Sequence, residues 1–157
     1  MHGPFRLALP TDVPALAALY ADAARTFGPA VYSSAQVAAW ASFGVPTPAF
    51  ADYVLSARTW VANADGGPDV IAGFCGTDAT GEVRSLYVSP ASTRRGLGSA
   101  LLAHSLTDAR GRGVASFGAW ATPFSRPVFG RAGFVLVKTV VEPYQGVLFE
   151  RYRVALT

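Results

Sequence analysis

Leu86-Tyr87-Val88-Ser89-Pro90-Ala91-Ser92-Thr93-Arg94-Arg95-Gly96-Leu97-Gly98-Ser99-Ala100-Leu101-Leu102 joins one apolar run to another through a basic turn that contains glycine. The first run, Glu82 to Val88, reads as a strand; the second, through Leu97, Leu101, Leu102 and Leu106, has the spacing of a helix face. A strand feeding a helix in this way leaves backbone N–H groups unpaired at the helix start, where they and the helix dipole converge on an anion. Gly96 and Gly98 carry no Cβ to hold that anion away, and the pair Arg94 and Arg95 adds charge-assisted donors. A pyrophosphate fits a cradle made of Arg94, Arg95, Gly96, Leu97, Gly98 and Ser99. The same residues also read as an ordinary helix start whose glycines serve the turn. Two other phosphate loops are excluded: there is no Gly-Lys-Ser/Thr ending for a Walker loop, and Leu101 stands where a dinucleotide fingerprint needs its third glycine.

Upstream of this segment, Thr59 to Ala64, Val70 to Thr77 and Glu82 to Val88 read as three consecutive strands, with turns at Asp65 to Pro68 and near Gly81. They predict an antiparallel meander. The N-terminal third is mainly helical after a first strand around Phe5 to Leu9. Thr11 and Asp12 are N-cap types before a helix running to about Thr26, Ser33 and Ser34 cap a second through Val37 and Trp40 to Phe43, and Thr47-Pro48 opens a third toward Leu55. Downstream, Arg110-Gly111-Arg112-Gly113 stops the central helix; a strand at Ala115 to Ala121, a short helix at Ser125 to Ala132, and strands at Phe134 to Val141 and Val147 to Val154 follow. The fold class is α/β (α+β), a sheet of mixed strand direction with a crossover helix.

The 157 residues suit a single domain, 1–157. Hydrophobic residues make up 51% and charged residues 15%, which excludes intrinsic disorder, and no run approaches the roughly 18 apolar residues of a membrane span. Met1 to Arg6 lacks the regions of a signal peptide, so the expected compartment is the cytoplasm. One cysteine, Cys75, excludes an internal disulfide framework; with only His2 and His104 and dispersed acidic residues, no metal cluster emerges. Twelve arginines and Lys138 against ten carboxylates give a net charge of +3. Apart from Arg94 and Arg95 the arginines are scattered, which argues for a local anion site and against a nucleic-acid stripe.

The segment resembles the GNAT superfamily of acetyl-CoA-dependent N-acetyltransferases, whose signature is a strand ending in Val-x-Pro followed by Arg/Gln-x-x-Gly-x-Gly/Ala at a helix start. Thr93-Arg94-Arg95-Gly96-Leu97-Gly98 fills that slot, Phe129-Gly130-Arg131-Ala132-Gly133-Phe134 is similar to the superfamily's Tyr-x-x-x-Gly-Phe, and Phe5-Arg6 to Asp12 resembles its usual beginning. Tyr32-Ser33 to Trp40 and Ser125-Arg126-Pro127 to Phe134 resemble a subgroup of small bacterial GNAT proteins whose substrates are largely unassigned. The resemblance implies a mostly antiparallel central sheet flanked by helices. It implies acetyl-CoA as donor cosubstrate, with the pantetheine arm along Leu86 and Val88 where that strand splays from its neighbour, and the pyrophosphate on the amides of Arg94 to Ser99. Thr122, Ser125 and Phe129 are further coenzyme contacts on this reading. Thr93 departs from the pattern, which weakens coenzyme binding without abolishing it, since amides supply most of the contact.

Direct acetyl transfer needs a neutral amine, a donor for the developing oxyanion and a proton for the leaving thiolate. Glu82 resembles the glutamate that some GNAT enzymes use as general base, and period-two alternation puts it on the same strand face as Val88; it also reads as a solvated carboxylate at a strand start. The N–H of Val88 is the oxyanion donor that the resemblance implies. Many GNAT enzymes carry a proton-donating tyrosine where this chain has Phe129, so water, Tyr87 or Tyr144 would have to substitute. Tyr32 and Trp40, beside Phe43, are candidate acceptor-pocket residues, although aromatics at these spacings are more often core, while Cys75 reads as a small core residue. The expected activity is N-acetylation of a primary amine on a small molecule or peptide, with neither membrane nor nucleic acid as partner and a homodimer left open. An acyl-CoA sensor that has lost efficient chemistry is the alternative. A toxin acting on aminoacyl-tRNA would want a broader basic surface.

Overall fold

The computed structural model describes residues 4–64, 70–93 and 95–157; the expected turn at Asp65 to Pro68 and Arg94 lie outside them. In chain order the elements are β1 (Arg6–Leu7), α1 (Val13–Phe27), α2 (Ser34–Ser42), α3 (Pro48–Leu55), β2 (Arg58–Asn63), β3 (Ile71–Thr77), β4 (Glu82–Val88), α4 (Leu97–Gly111), β5 (Phe117–Ala121), α5 (Arg126–Arg131), β6 (Val135–Tyr144) and β7 (Val147–Leu156). The described residues form a seven-stranded sheet in the order β1-β2-β3-β4-β5-β7-β6. Neighbours are antiparallel except β4 and β5, which the crossover through α4 makes parallel.

Local chemistry explains the helix starts. Ser33 Oγ accepts from the N–H of Gln36 at 3.1 Å while Gln36 Oε1 accepts from the N–H of Ser33 at 2.8 Å, a reciprocal cap for α2. Gln36 Nε2 also donates to the carbonyl of Leu148 on β7 at 3.0 Å, fixing α2 over that side of the sheet. Thr47 caps α3 by accepting from Phe50 N–H at 3.2 Å, with Pro48 in the first turn. Asp12 departs from the expectation. It makes no side-chain cap to α1; its carboxylate accepts instead from Leu9 N–H at 2.7 Å and from Arg6 at 2.7 and 2.9 Å, closing the 3-10 turn Pro10–Asp12 that precedes the helix.

The sheet separates two apolar cores. On one face α4 lays Leu97, Leu101, Leu102 and Leu106 against Cys75, Ala119, Phe129 and Phe134. The buried hydroxyls of Thr77 on β3 and Ser105 on α4, 2.7 Å apart, satisfy each other inside that contact. On the other face α1 and α3 bring Leu16, Tyr20, Phe50 and Val54 onto Val61 and Phe74. The last strands run longer than the sequence suggested, because the β6–β7 hairpin carries pairing out to Tyr144 and Val147.

Candidate active site

Pairing between β4 and β5 is confined to Glu82–Gly118 and Val83–Ala119; beyond Val83 the two strands part. Ser89 N–H donates to the carbonyl of Ala72 at 2.8 Å, which makes Gly73 and Val88 a non-hydrogen-bonded pair across β3 and β4. By alternation the main-chain N–H and C=O of Val88 and of Leu86 point away from β3. They face the gap left by β5.

β4 also carries a bulge. Ser85 pairs with Gly76 and Val83 with Thr77, so Arg84 is an extra residue without a partner position on β3. The bulge reverses the alternation. Val83 and Val88 pack against the α4 core, although five residues apart, and Tyr87 packs on the α1–α3 side. Glu82 therefore does not share a face with Val88, contrary to the period-two expectation. It sits on the opposite side of the sheet, where Arg153 donates to its Oε2 at 2.7 Å. Gly118, its partner on β5, leaves the room for this pair: a Cβ there would run into the Arg153 guanidinium and stand 3.4 Å from Glu82 Oε1.

Two clefts meet at the parted strands. One, of about 440 Å³, runs past the start of α4 and along α5 and takes in Leu86, Val88, Thr93, Gly96, Leu97, Gly98, Ser99, Thr122, Ser125 and Phe129. The other, of about 530 Å³, opens between α1–α3 and the β6–β7 hairpin and takes in Tyr32, Trp40, Phe43, Glu82 and Tyr144. Trp40, Tyr53, Val83, Arg84, Tyr87, Trp120 and Thr122 line both, so the space is continuous from one face of the sheet to the other. Of the expected coenzyme residues, Arg95, next in the chain to Gly96, is exposed and does not line the first cleft, and Arg94 lies outside the described residues.

Gly96 is the N-cap of α4 and has φ +75°, a left-handed conformation that itself demands glycine. Gly98 is different: a Cβ there would stand 3.5 Å from Val88 Cγ2 and 3.9 Å from Val128 Cγ1, ordinary contact distances. Packing thus leaves space above Gly98, open to the cleft. Thr122 and Ser125 turn their hydroxyls on the local backbone. Ser125 Oγ accepts from Thr122 N–H at 2.9 Å and Thr122 Oγ1 from Ser125 N–H at 3.1 Å, a reciprocal start for α5. Thr93 Oγ1 likewise donates to the carbonyl of Pro90 at 3.0 Å. Phe129 is 3% exposed and meets Phe134 edge to face at 5.0 Å.

The second cleft is built from rings. Tyr32 meets Trp40 at 5.7 Å and Phe149 at 5.4 Å, and Tyr20 meets Tyr87 at 4.5 Å. The Tyr87 hydroxyl accepts from Trp40 Nε1 at 3.3 Å. Burial is the largest cause that pushes the hydroxyls of Tyr20, Tyr53 and Tyr87 above the ordinary tyrosine value, and Tyr32 up to about 12. All four stay neutral donors. Sequence reasoning did not single out Arg84, Trp120 or Arg153 for this site. Trp120 alternates with buried Ala119 and Ala121 on β5, which was a usable signal; the positions of Arg84 and Arg153 depend on cross-strand pairing.

The opened pair of parallel strands thus lies over a glycine-capped helix start and joins the two clefts. The sequence model of the acetyltransferase (GNAT) domain matches residues 29–156. The chain belongs to the GNAT acetyltransferase family and is an acetyltransferase. Among solved structures it is similar to a GCN5-related N-acetyltransferase from Rhodopseudomonas palustris, with a TM-score of 0.91 and 23% identity over 99% of this chain and 95% of that one. It is also similar to a putative acetyltransferase from Salmonella typhimurium solved with acetyl-CoA (TM-score 0.65, 20% identity, 98% and 92% covered). A third is a phosphinothricin acetyltransferase from Sinorhizobium meliloti in complex with acetyl-CoA (TM-score 0.71, 20% identity, 99% and 88% covered). These likenesses bear on the fold. A comparison with curated proteins finds no significant match.

Proposed function

We propose that the chain moves the acetyl group of acetyl-CoA directly to a primary amine of a small molecule or peptide. The observation that carries this reading is the gap between β4 and β5, faced by the free main-chain groups of Leu86 and Val88 and reached from both sides of the sheet. The first cleft takes the coenzyme: Leu86 and Val88 hydrogen-bond the pantetheine arm as a strand would, and the amides at the start of α4 hold the pyrophosphate, with Arg94 and Arg95 adding charge. Space above Gly98 and the lining by Phe129, Thr122 and Ser125 fit that placement.

The amine enters through the ring-lined cleft, where Tyr32 and Trp40 contact it. Nitrogen bonds to the thioester carbonyl carbon, the C–S bond breaks, the amine gives up a proton and the thiolate gains one. Val88 N–H stabilises the oxygen that becomes negative. Glu82, on the amine's side of the sheet, takes the proton through water. Phe129 has no hydroxyl to protonate the thiolate, and a thiol with an ordinary value near 8.5 leaves without a dedicated acid at a cost of about 2 kcal/mol at neutral pH. Tyr87 and Tyr144, on the amine side, remain alternative donors to water.

Calorimetric titration with acetyl-CoA, with coenzyme A and ATP as comparisons, followed by thiol release over a panel of amines, tests this. Acetyl-CoA binds, ATP does not, and thiol is released with at least one amine. Binding without release would make the protein an acyl-CoA sensor, the reading that the missing hydroxyl at Phe129 favours. No binding of acetyl-CoA would overturn both.

A further inference from the structure

The bulge that reverses β4 places its extra residue, Arg84, on the amine's side and on the lining of both clefts. The guanidinium donates to Ser56 Oγ at the end of α3 and lies 6.0 Å over the ring of Tyr53. Both partners are neutral. Among the described residues no carboxylate oxygen comes within the 4.0 Å of an ion pair with Arg84. Its neighbours are arranged differently: Arg151 is held by Glu142 at 2.8 Å and Arg153 by Glu82 at 2.7 Å. Asp78, which feels the charge of Arg84, is turned to the amides of Thr80 and Glu82 and the hydroxyl of Thr80.

An arginine offers five N–H donors in a fork that matches a carboxylate, and Ser56 uses one. Among the described residues, three carboxylates share the second cleft with Arg84: Glu82 is neutralised by Arg153, Glu142 by Arg151, and Glu150 accepts from the Tyr152 hydroxyl at 2.7 Å. Much of the remaining lining is aromatic, with Tyr32, Trp40, Phe43 and Phe149 offering apolar faces. A guanidinium held by neutral partners alone, beside many rings, suits a ligand with an anionic group and an apolar body.

We propose that Arg84 binds a carboxylate on the acceptor, so that the amine acetylated belongs to an amino acid with an aromatic or bulky apolar side chain. This rests on the acetyl-transfer reading. Arg84 is then a specificity-determining residue, and the bulge is the device that delivers it to the cleft.

The test uses matched products that differ only in the carboxylate: N-acetylphenylalanine against N-acetylphenethylamine, titrated into the protein saturated with coenzyme A. The carboxylate-bearing member binds at least about tenfold more tightly, Arg84→Gln erases the difference, and Arg84→Lys restores part of it. In turnover, phenylalanine shows the same advantage over phenethylamine in kcat/KM. Equal binding of the two products by the unaltered protein overturns the proposal without reference to any variant. So does an Arg84→Gln protein that keeps the preference, or one that weakens both products equally, as loss of the tie to Ser56 alone would do. Failure of coenzyme A to bind would sink the acetyl-transfer reading instead; the same product pair, titrated into the coenzyme-free protein, still decides the role of Arg84.

Discussion

At position 98 a carboxylate would stand in the space that packing leaves above the start of α4. Because a Cβ there meets Val88 and Val128 only at ordinary contact distances, Gly98→Glu keeps the fold. On the proposed placement of the coenzyme it sets a negative charge beside the phosphates. Calorimetry should show the dissociation constant for acetyl-CoA rising by at least about tenfold, with the melting temperature nearly unchanged. An unchanged constant would remove the pyrophosphate from this helix. Gly96 is a different case, since its φ of +75° ties glycine to the backbone and any substitution there strains the cap. Both glycines stand out in the sequence, but only the structure tells the conformational one from the open one. A second residue-scale expectation concerns Cys75, which is fully buried and whose thiol burial pushes up to about 12. Ellman's reagent at pH 8 should leave it unlabelled in the folded protein and label it once on unfolding in guanidinium. The thiol ionises near 8.5 in the unfolded chain and not in the folded one, so Cys75 makes stability fall as pH rises above about 8.5.

At the scale of elements, the link between β1 and α1 rests on Asp12. Its carboxylate closes the 3-10 turn through Leu9 N–H and pairs with Arg6, whose hydrogen bond is the largest cause holding Asp12 below the ordinary carboxylate value. Asp12→Ala should cost about 1 to 2 kcal/mol in urea denaturation at pH 7. A depressed folded-state value means that this stability is present above the unfolded value, near 3.9, and is lost as pH falls through the folded one. The gap between the unaltered protein and the variant should therefore narrow below about pH 4. Most elements were legible: caps at Ser33 and Thr47, proline in the first turns and alternating apolar residues set their ends to within a few residues. The opening of β4 from β5 was readable as part of the family resemblance. The bulge at Arg84 was not, because the adjacent polar residues Arg84 and Ser85 break the alternation without saying which of them lacks a partner on the next strand. Two-against-one pairing exists only between strands. That is why the face of Glu82, the exposure of Arg84 to the cleft and the partnership of Arg153 with Glu82 had to come from the assembled sheet.

At the scale of the molecule, the sheet is a wall between two apolar cores, and the opening between β4 and β5 is a window through it. Among the described residues no helix is long and apolar enough to cross a membrane. The outer edge is unusual in another respect: β6 is exposed along nearly its whole length, with Val135 65% and Val141 62% accessible. The two clefts reach the window from opposite sides, and this has a kinetic meaning. On the proposed placement donor and acceptor use separate doors, so neither has to leave before the other arrives, and a complex holding both at once is the species expected to react. Initial rates measured against both concentrations should give intersecting rather than parallel double-reciprocal lines, and the acetylated product should inhibit without competing with acetyl-CoA. Parallel lines would mean that the enzyme itself carries the acetyl group between two half-reactions, a task for which the buried Cys75 is out of reach.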